Sequence, residues 1–558
     1  TLSFKNKYIT INTTIMNVKT RSGSHLTGIM VMLPAMIVAL AIRCSMPARE
    51  KVVQWQPWES AIEAKESPEG RPYAVEVSFQ GPEGQQFTNQ AFSDDGKIYR
   101  FRAAFPSPGT WTWSSASPGS NDRGLNKSKG KVEVLAYEGD NPLYRHGDLR
   151  VSEDKRYLVH ADGKPFLWIG ETGWRSLRST SMEDWRHYID TRSDQKFTVI
   201  QVSPKGVSKN PGKDLRETSF LSDRSPDPDY WSDLDSKIRY ANEKGIIIFM
   251  VGISKVWNDE FKENPGNQDF ASYFAGRMAP YMVIFSPSFD QVFIGGNDTM
   301  AMELKKYTTH LVTQHPGTNY EANTKYRNSP YTDFCGMQSG HHGGRLERAY
   351  NAARQWTLDM WNGNPLKPVI NIEGMYDARG NNNGKNWREK DVRKIGWISW
   401  LSGSKGYTYG AGDVPPKVPE GSGGVWRWND NPDTYDYWKK AILWPSAGQM
   451  TIMHDFFKPL EWWKLIPAHE LVLNQEANDT SKMVVSVASD KSLLLAYLPD
   501  NPEINLDLSG FSGTFSGKWL NPANGITIQM DEKVTPEINK LFMRPRGWDD
   551  ALLMLRKD

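Results

Sequence analysis

The sequence is nearly free of cysteine. Cys44 and Cys335 are its two thiols in 558 residues, too few for a disulfide framework and without the Cys/His/Asp spacing of a metal site. Net charge is nearly absent as well: 67 basic against 65 acidic side chains leave a formal +2, which offers nucleic acid no electrostatic footprint. A bilayer-spanning run is also missing. The apolar stretch from Leu26 to Ile42 is interrupted by Pro34 and is short of the roughly 20 residues a span needs. There is no P-loop, no G-x-G-x-x-G opening a helix after a strand, and no G-x-S-x-G elbow. Phosphate-cradling, dinucleotide-dependent and serine-nucleophile chemistries are therefore not expected. Aromatic residues are plentiful, with 22 each of Trp, Tyr and Phe. Rings in that number suit both sugar-face stacking and ordinary core packing.

The N-terminal stretch reads as an export signal starting at Met16, with residues 1–15 as upstream frame. Lys19 and Arg21 form the positive region, and Leu26 to Ile42 the apolar one. Two endings compete. Ala39-Leu40-Ala41 resembles an A-x-A cleavage site, while Cys44 resembles a lipoprotein acceptor whose preceding Arg43 does not fit. Contact with a membrane is thus expected only through a possible lipid anchor at Cys44. Either way Cys335 has no partner thiol in the mature chain and reads as a buried small hydrophobe.

Residues 50–140 carry period-two runs ("AVEVSFQGPEG", "IYRFRAAFPSPGTWTWSS", "GKVEVLAY") split by Pro, Gly, Asn and Asp, the pattern of an Ig-like β-sandwich. Over 141–460 the rhythm changes. Short apolar runs alternate with helical stretches: "FLWIG" (166–170), "FTVIQV" (197–202), "GIIIFMVG" (245–252), "YMVIFS" (281–286), "HLVTQH" (310–315), "FCGMQSG" (334–340), "PVINIEG" (368–374) and "IGWISWLSG" (395–403). One helical stretch, "SMEDWRHYIDTRS", opens with Ser181 three residues before Asp184, a cap-like start. Eight candidate strands over this length predict a (β/α)8 barrel, with a doubly wound sheet as the alternative. Residues 461–558 return to β runs ("KMVVSVASD", "SLLLAYLP", "INLDLSG", "ALLML") and predict a second, small sandwich.

Two runs end at a lone carboxylate: "MVIFSPSFD" at Asp290 and "PVINIEGMYD" beyond Glu373. Burying such a group is costly unless something uses it. In strand order Asp290 follows the fourth strand and Glu373 the seventh, so both fall on the C-terminal face that carries catalysis in barrels. Two carboxyls there meet the needs of glycosidic cleavage, one protonating the leaving oxygen and one attacking the sugar or activating water. Helix caps and surface ion pairs use strand-end carboxylates too.

Taken together, "FLWIGETGW", "VIFSPSFD", "HP" at 315–316, "FCGMQSGH", "KPVINIEGMYD" and "GYTYG" followed by "VWRW" resemble the apiosidase-like glycoside hydrolases, family 140 and its relatives. The outer segments resemble the β-sandwich that often precedes that barrel and the small sandwich, named for collagen binding, that often follows it. The resemblance implies Asp290 as general acid/base, Glu373 as nucleophile, retention of configuration, a carbohydrate substrate and no cofactor or metal. Other positions carry two readings each. Glu171, where relatives more often have Asp, either binds a sugar hydroxyl or holds the first strand's loop. Trp174 is a stacking platform or barrel-top packing. Gln338 and His341 either meet sugar or are plain hydrogen-bonding residues, and His341-His342 diverge too far to share a metal. Tyr409 and Trp426 are candidate subsite residues, and Tyr407 stands where relatives often have His. The rival reading is an inactive, carbohydrate-binding surface protein on the same barrel.

Overall fold

The computed structural model describes residues 52–66, 73–204, 219–221, 225–254, 267–290, 295–340, 346–378, 387–412 and 437–558. The segment read as an export signal, with Cys44, and the positions His341 and Trp426 lie outside them.

Six of the eight apolar runs form strands of one parallel sheet, and a seventh strand over 406–411, outside those runs, joins this sheet. Its strands are β1 (Trp168–Thr172), β2 (Val199–Val202), β3 (Ile247–Val251), β4 (Val283–Ser286), β5 (Cys335–Gln338), β6 (Val369–Glu373) and β7 (Gly406–Ala411), in the order β4-β3-β2-β1-β7-β6-β5. "HLVTQH" is not a full strand. It contributes a single parallel bridge between Val312 and Phe285, and the Asp333 N–H donates to the Val312 carbonyl at 2.7 Å beside β5, so the segment links the sheet's two edges. The run at 395–403 is a second correction. It belongs to a helix, Glu389–Leu401, and β7 follows it. Val392, Ile395, Trp397, Ile398, Trp400 and Leu401 are all buried, because this helix packs both on β7 and on the C-terminal sheet. A helix apolar on all sides cannot be told from a buried strand by periodicity.

Strand alternation divides the side chains between two cores. Trp168, Val199, Ile247, Phe249, Ile284, Phe334 and Ile370 meet inside the curled sheet. The ring of Trp168 lies 5.9 Å from both Phe249 and Phe334, so strands far apart in the order share this interior. Ile169, Ile200, Ile248, Val283, Tyr407 and Tyr409 face the outer layer of helices. These include α1 (Met182–Asp194), α2 (Pro228–Glu243) and α3 (Asn267–Met278). The cap at α1 forms as expected, with the Asp184 N–H donating to Ser181 Oγ at 3.0 Å.

Before this core, a five-stranded sheet and the pair Trp58–Glu63/Ile98–Ala103 enclose an aromatic core that includes Phe79, Phe101 and Trp111. Arg102 ties it to the helices, donating to Asp235 Oδ2 at 2.8 Å. After the core, a six-stranded sheet and the pair Glu503–Leu506/Lys540–Met543 form the C-terminal sheet region. Arg393 anchors it through Asp550 at 2.7 Å, and Tyr497 donates to the same carboxylate at 2.6 Å. Cys335 is buried, and burial pushes its thiol up to about 11, which makes it packing rather than chemistry. No helix among the described residues is long and apolar enough to cross a membrane.

Candidate active site

Glu373 ends β6 at an irregularity. The β5–β6 ladder pairs Met337 with Asn371 and then Gln338 with Glu373, skipping Ile372. Such a bulge re-aims the next side chain, and here it turns Glu373 to the inner side beside Gln338. The carboxylate is only 3 % exposed. Tyr376, three residues on, donates its hydroxyl to Glu373 Oε1 at 2.6 Å. Trp174 Nε1 donates in turn to the Tyr376 hydroxyl at 2.8 Å. The Tyr376 ring lies where β7 carries Gly410; a Cβ there would come within 2.2 Å of it.

Asp290 lies four residues past β4, in left-handed backbone (φ 52°), a conformation that Asp tolerates better than most side chains. Its side chain is 42 % exposed. Between the two carboxylates sits His315, fully buried, with Nε2 3.2 Å from Glu373 Oε2 and Nδ1 3.8 Å from Asp290 Oδ1. The imidazole stacks on Phe289 (5.5 Å, 11°) and meets Trp174 edge-on (5.3 Å), and the backbone N–H of His315 donates to Ser288 Oγ at 2.7 Å. One donor atom from each of Asp290, His315 and Glu373 lies within 4.8 Å of the others. That set could gather one cation with a single donor apiece, or handle protons between two carboxyls.

Burial is the largest influence on Glu373 and raises its pKa, the charge of Asp290 raises it further, and His315 and Tyr376 pull it down.

The structure thus brings Asp290, Glu373, Trp174 and Gln338 to one end of the sheet and separates others from them. Glu171 is fully buried on the outer face, where Arg192 engages both its oxygens and Tyr188 donates at 2.6 Å. Strand parity points it at α1, away from the inner side where Glu373 lies, and its partners Tyr188 and Arg192 are on that helix and not in the first strand's loop. Tyr409 is corrected for the same reason: it faces Phe197 and Ser446 in the outer layer. The Trp174 ring is 95 % buried among Phe289, His315 and Tyr376, so it packs and orients instead of offering a stacking face. His315 and Tyr376 were missed as site residues. Their signals were slight: the His-Pro ending one apolar run, and a Tyr three residues beyond the strand-end Glu.

The profile described as "Apiosidase-like, catalytic domain" matches residues 152–464, and that of the "Putative collagen-binding domain of a collagenase" matches 466–556. A search of curated proteins finds no match. Among solved structures, one described as "Glycoside hydrolase" is similar at 22 % identity over 75 % of this chain and 99 % of its own, with a TM-score of 0.65. A glycoside hydrolase family 5 structure from Bacteroides vulgatus is similar at 23 % identity over 75 % of this chain and 95 % of its own, TM-score 0.65. A "putative glycoside hydrolase" from the same organism reaches a TM-score of 0.67 at 14 % identity over 91 % of this chain and all of its own. At such identities these likenesses speak to fold alone; the profile match covers more than half of the chain, and the protein belongs to the apiosidase-like glycoside hydrolases.

Proposed function

We propose that the protein is an exported, retaining glycoside hydrolase acting on a complex polysaccharide or its side chains, with Glu373 as nucleophile and Asp290 as general acid/base. The observation that carries this is the gap between the carboxylates, whose nearest donor atoms lie within 4.8 Å together with His315. Retention works at about 5–5.5 Å, whereas an inverting pair leaves about 6.5–9.5 Å for a water. The roles follow from setting. Glu373 is fixed by Tyr376 and His315, as a nucleophile that must meet the anomeric carbon requires. Asp290 is open to solvent, as a group that gives and regains a proton requires. Asp290 protonates the leaving oxygen while Glu373 forms the glycosyl ester; Asp290 then takes a proton from the water that releases the sugar. The seven strands and the Val312 segment are read as a (β/α)8 barrel, and the segment from Met16 to Cys44 as the export signal.

The test is a panel of 4-nitrophenyl glycosides, the apiofuranoside included, given to the intact protein and to Glu373→Gln, with the first-formed anomer read by NMR. Retention with loss in the variant is expected. First-formed inverted sugar would recast Glu373 as general base, and sugar binding without turnover would favour the inactive binding-protein reading.

A further inference from the structure

The interior of the sheet carries polar groups that the chemistry above does not use. Thr172 ends β1, Gln201 lies in β2 and Gln338 ends β5, and all three are fully buried. Thr172 shares the parity of Trp168, Gln201 that of Val199, and Gln338 that of Phe334, the residues of the inner core. Thr172 and Gln201 are register partners on β1 and β2, and Gln338 is paired with Glu373 across β5 and β6, so all three stand at the C-terminal end of the sheet where Glu373 lies. Among the described residues, Thr172 Oγ1 and both amide atoms of Gln201 and of Gln338 have no hydrogen-bond partner.

Three other polar groups facing this interior are satisfied. Ser286 Oγ donates to the Ser288 carbonyl at 2.9 Å, Thr313 Oγ1 to that of Phe334 at 2.6 Å, and Trp168 Nε1 to Thr408 Oγ1 at 2.9 Å. The amide of Gln314 has no partner among the described residues either, but Gln314 shares the parity of Val312, which faces the outer helices, so position and not lack of a partner alone defines the group. Buried amides left without partners are costly, and a native chain keeps them where something else completes them.

From this juxtaposition we infer that Thr172, Gln201 and Gln338 form the floor of a subsite that takes the hydroxyls of the sugar attacked by Glu373. Each amide offers a donor and an acceptor, the pair that a vicinal diol answers. The inference rests on the glycosidase reading. Ordered water offers the same hydroxyl chemistry, and the experiment separates the two sources.

Thr172→Val, Gln201→Leu and Gln338→Leu are each compared with the parent by melting temperature and by kcat/KM on the best-cleaved 4-nitrophenyl glycoside. They are also compared by the melting shift that the corresponding free monosaccharide produces. Expected is a loss of about tenfold or more in kcat/KM per variant and a reduced sugar-induced shift. Without sugar, melting should be unchanged or up by about 2 °C, because an unpaired group has been removed. Melting that falls while kcat/KM stays within a few fold would mean the groups hold structural water, and would overturn the inference. Thr172→Val, the smallest change, keeps the test decisive if a glutamine variant does not fold. Should no glycoside be cleaved, the monosaccharides are screened by melting shift alone. A shift in the parent that the variants lose upholds the subsite and sinks the hydrolase reading, and no shift in the parent sinks both.

Discussion

Tyr376 donates its hydroxyl to Glu373 at 2.6 Å, and the two residues are only three apart in the chain. Because the Tyr376 oxygen also accepts from Trp174 Nε1 at 2.8 Å, the hydroxyl has one direction left for its proton. That leaves the Glu373 Oε1 lone pair engaged on one side and the carboxylate fixed in rotation.

Glu373→Gln and Asp290→Asn keep shape and remove one charge each. Both should fold and lose at least about 10²-fold in kcat/KM. The two should differ in substrate dependence. A 4-nitrophenolate leaving group needs little protonation, so Asp290→Asn should keep its first, glycosyl-forming step as a burst, and Glu373→Gln should show none. Activity within a few fold of the parent in either variant would refute its assignment.

Tyr376→Phe strips Glu373 Oε1 of its donor and leaves the Trp174 indole N–H without an acceptor. A fall of about 10- to 100-fold in kcat with little change in KM is expected. A change confined to KM would mean that Tyr376 meets the sugar rather than orienting the carboxylate.

Burial and Asp290 hold Glu373 above the ordinary glutamate range, and the nucleophilic role proposed for it requires the ionised form. Activity should therefore fall as pH drops through that raised value, with an acid limb above the usual 4.3 or so. His315 lowers the value, so His315→Asn should move the limb to higher pH in a pH–kcat/KM profile, and an unmoved limb would contradict the coupling.

The Glu171–Arg192 pair is wholly buried. Arg192→Leu leaves an uncompensated carboxylate and should cost about 3–5 kcal/mol in thermal or denaturant unfolding, whereas replacing both partners with apolar residues should cost far less. Equal losses would show that the pair contributes only packing.

His469 joins the parallel-sheet core to the C-terminal sheet through Ser402 Oγ at 3.1 Å and the Val485 backbone at 3.0 Å. Burial, helped by Arg354, lowers its pKa to about 3. The unfolded chain binds that proton more readily, at about 6.5. Stability is therefore complete above about pH 6.5 and is lost as pH falls toward 3, by on the order of 4 kcal/mol at the end of the window. His469→Gln should flatten the melting temperature between pH 6.5 and 4.

A glycosidase with a carboxylate pair needs no ion, so EDTA should leave activity unchanged. Loss on chelation, with recovery on adding a divalent cation, would recast Asp290, His315 and Glu373 as ligands.

Local pattern was enough to place six of the short buried strands, though not the one at 406–411, together with the cap at Ser181 and the two carboxylates that end apolar runs, because each is dictated by neighbours within a few residues. It was not enough for "IGWISWLSG", where a helix clad on both sides by other layers carries the same unbroken apolar run as a buried strand. The site was only half legible. Asp290 and Glu373 stood out as charges ending apolar runs, but which way a strand-end residue faces depends on pairing with another strand. Parity sent Glu171 and Tyr409 to the helices, and one skipped residue at Ile372 turned Glu373 inward. His315 sits between the carboxylates only because the Val312 segment joins β4 to β5, a long-range contact that no stretch of sequence displays.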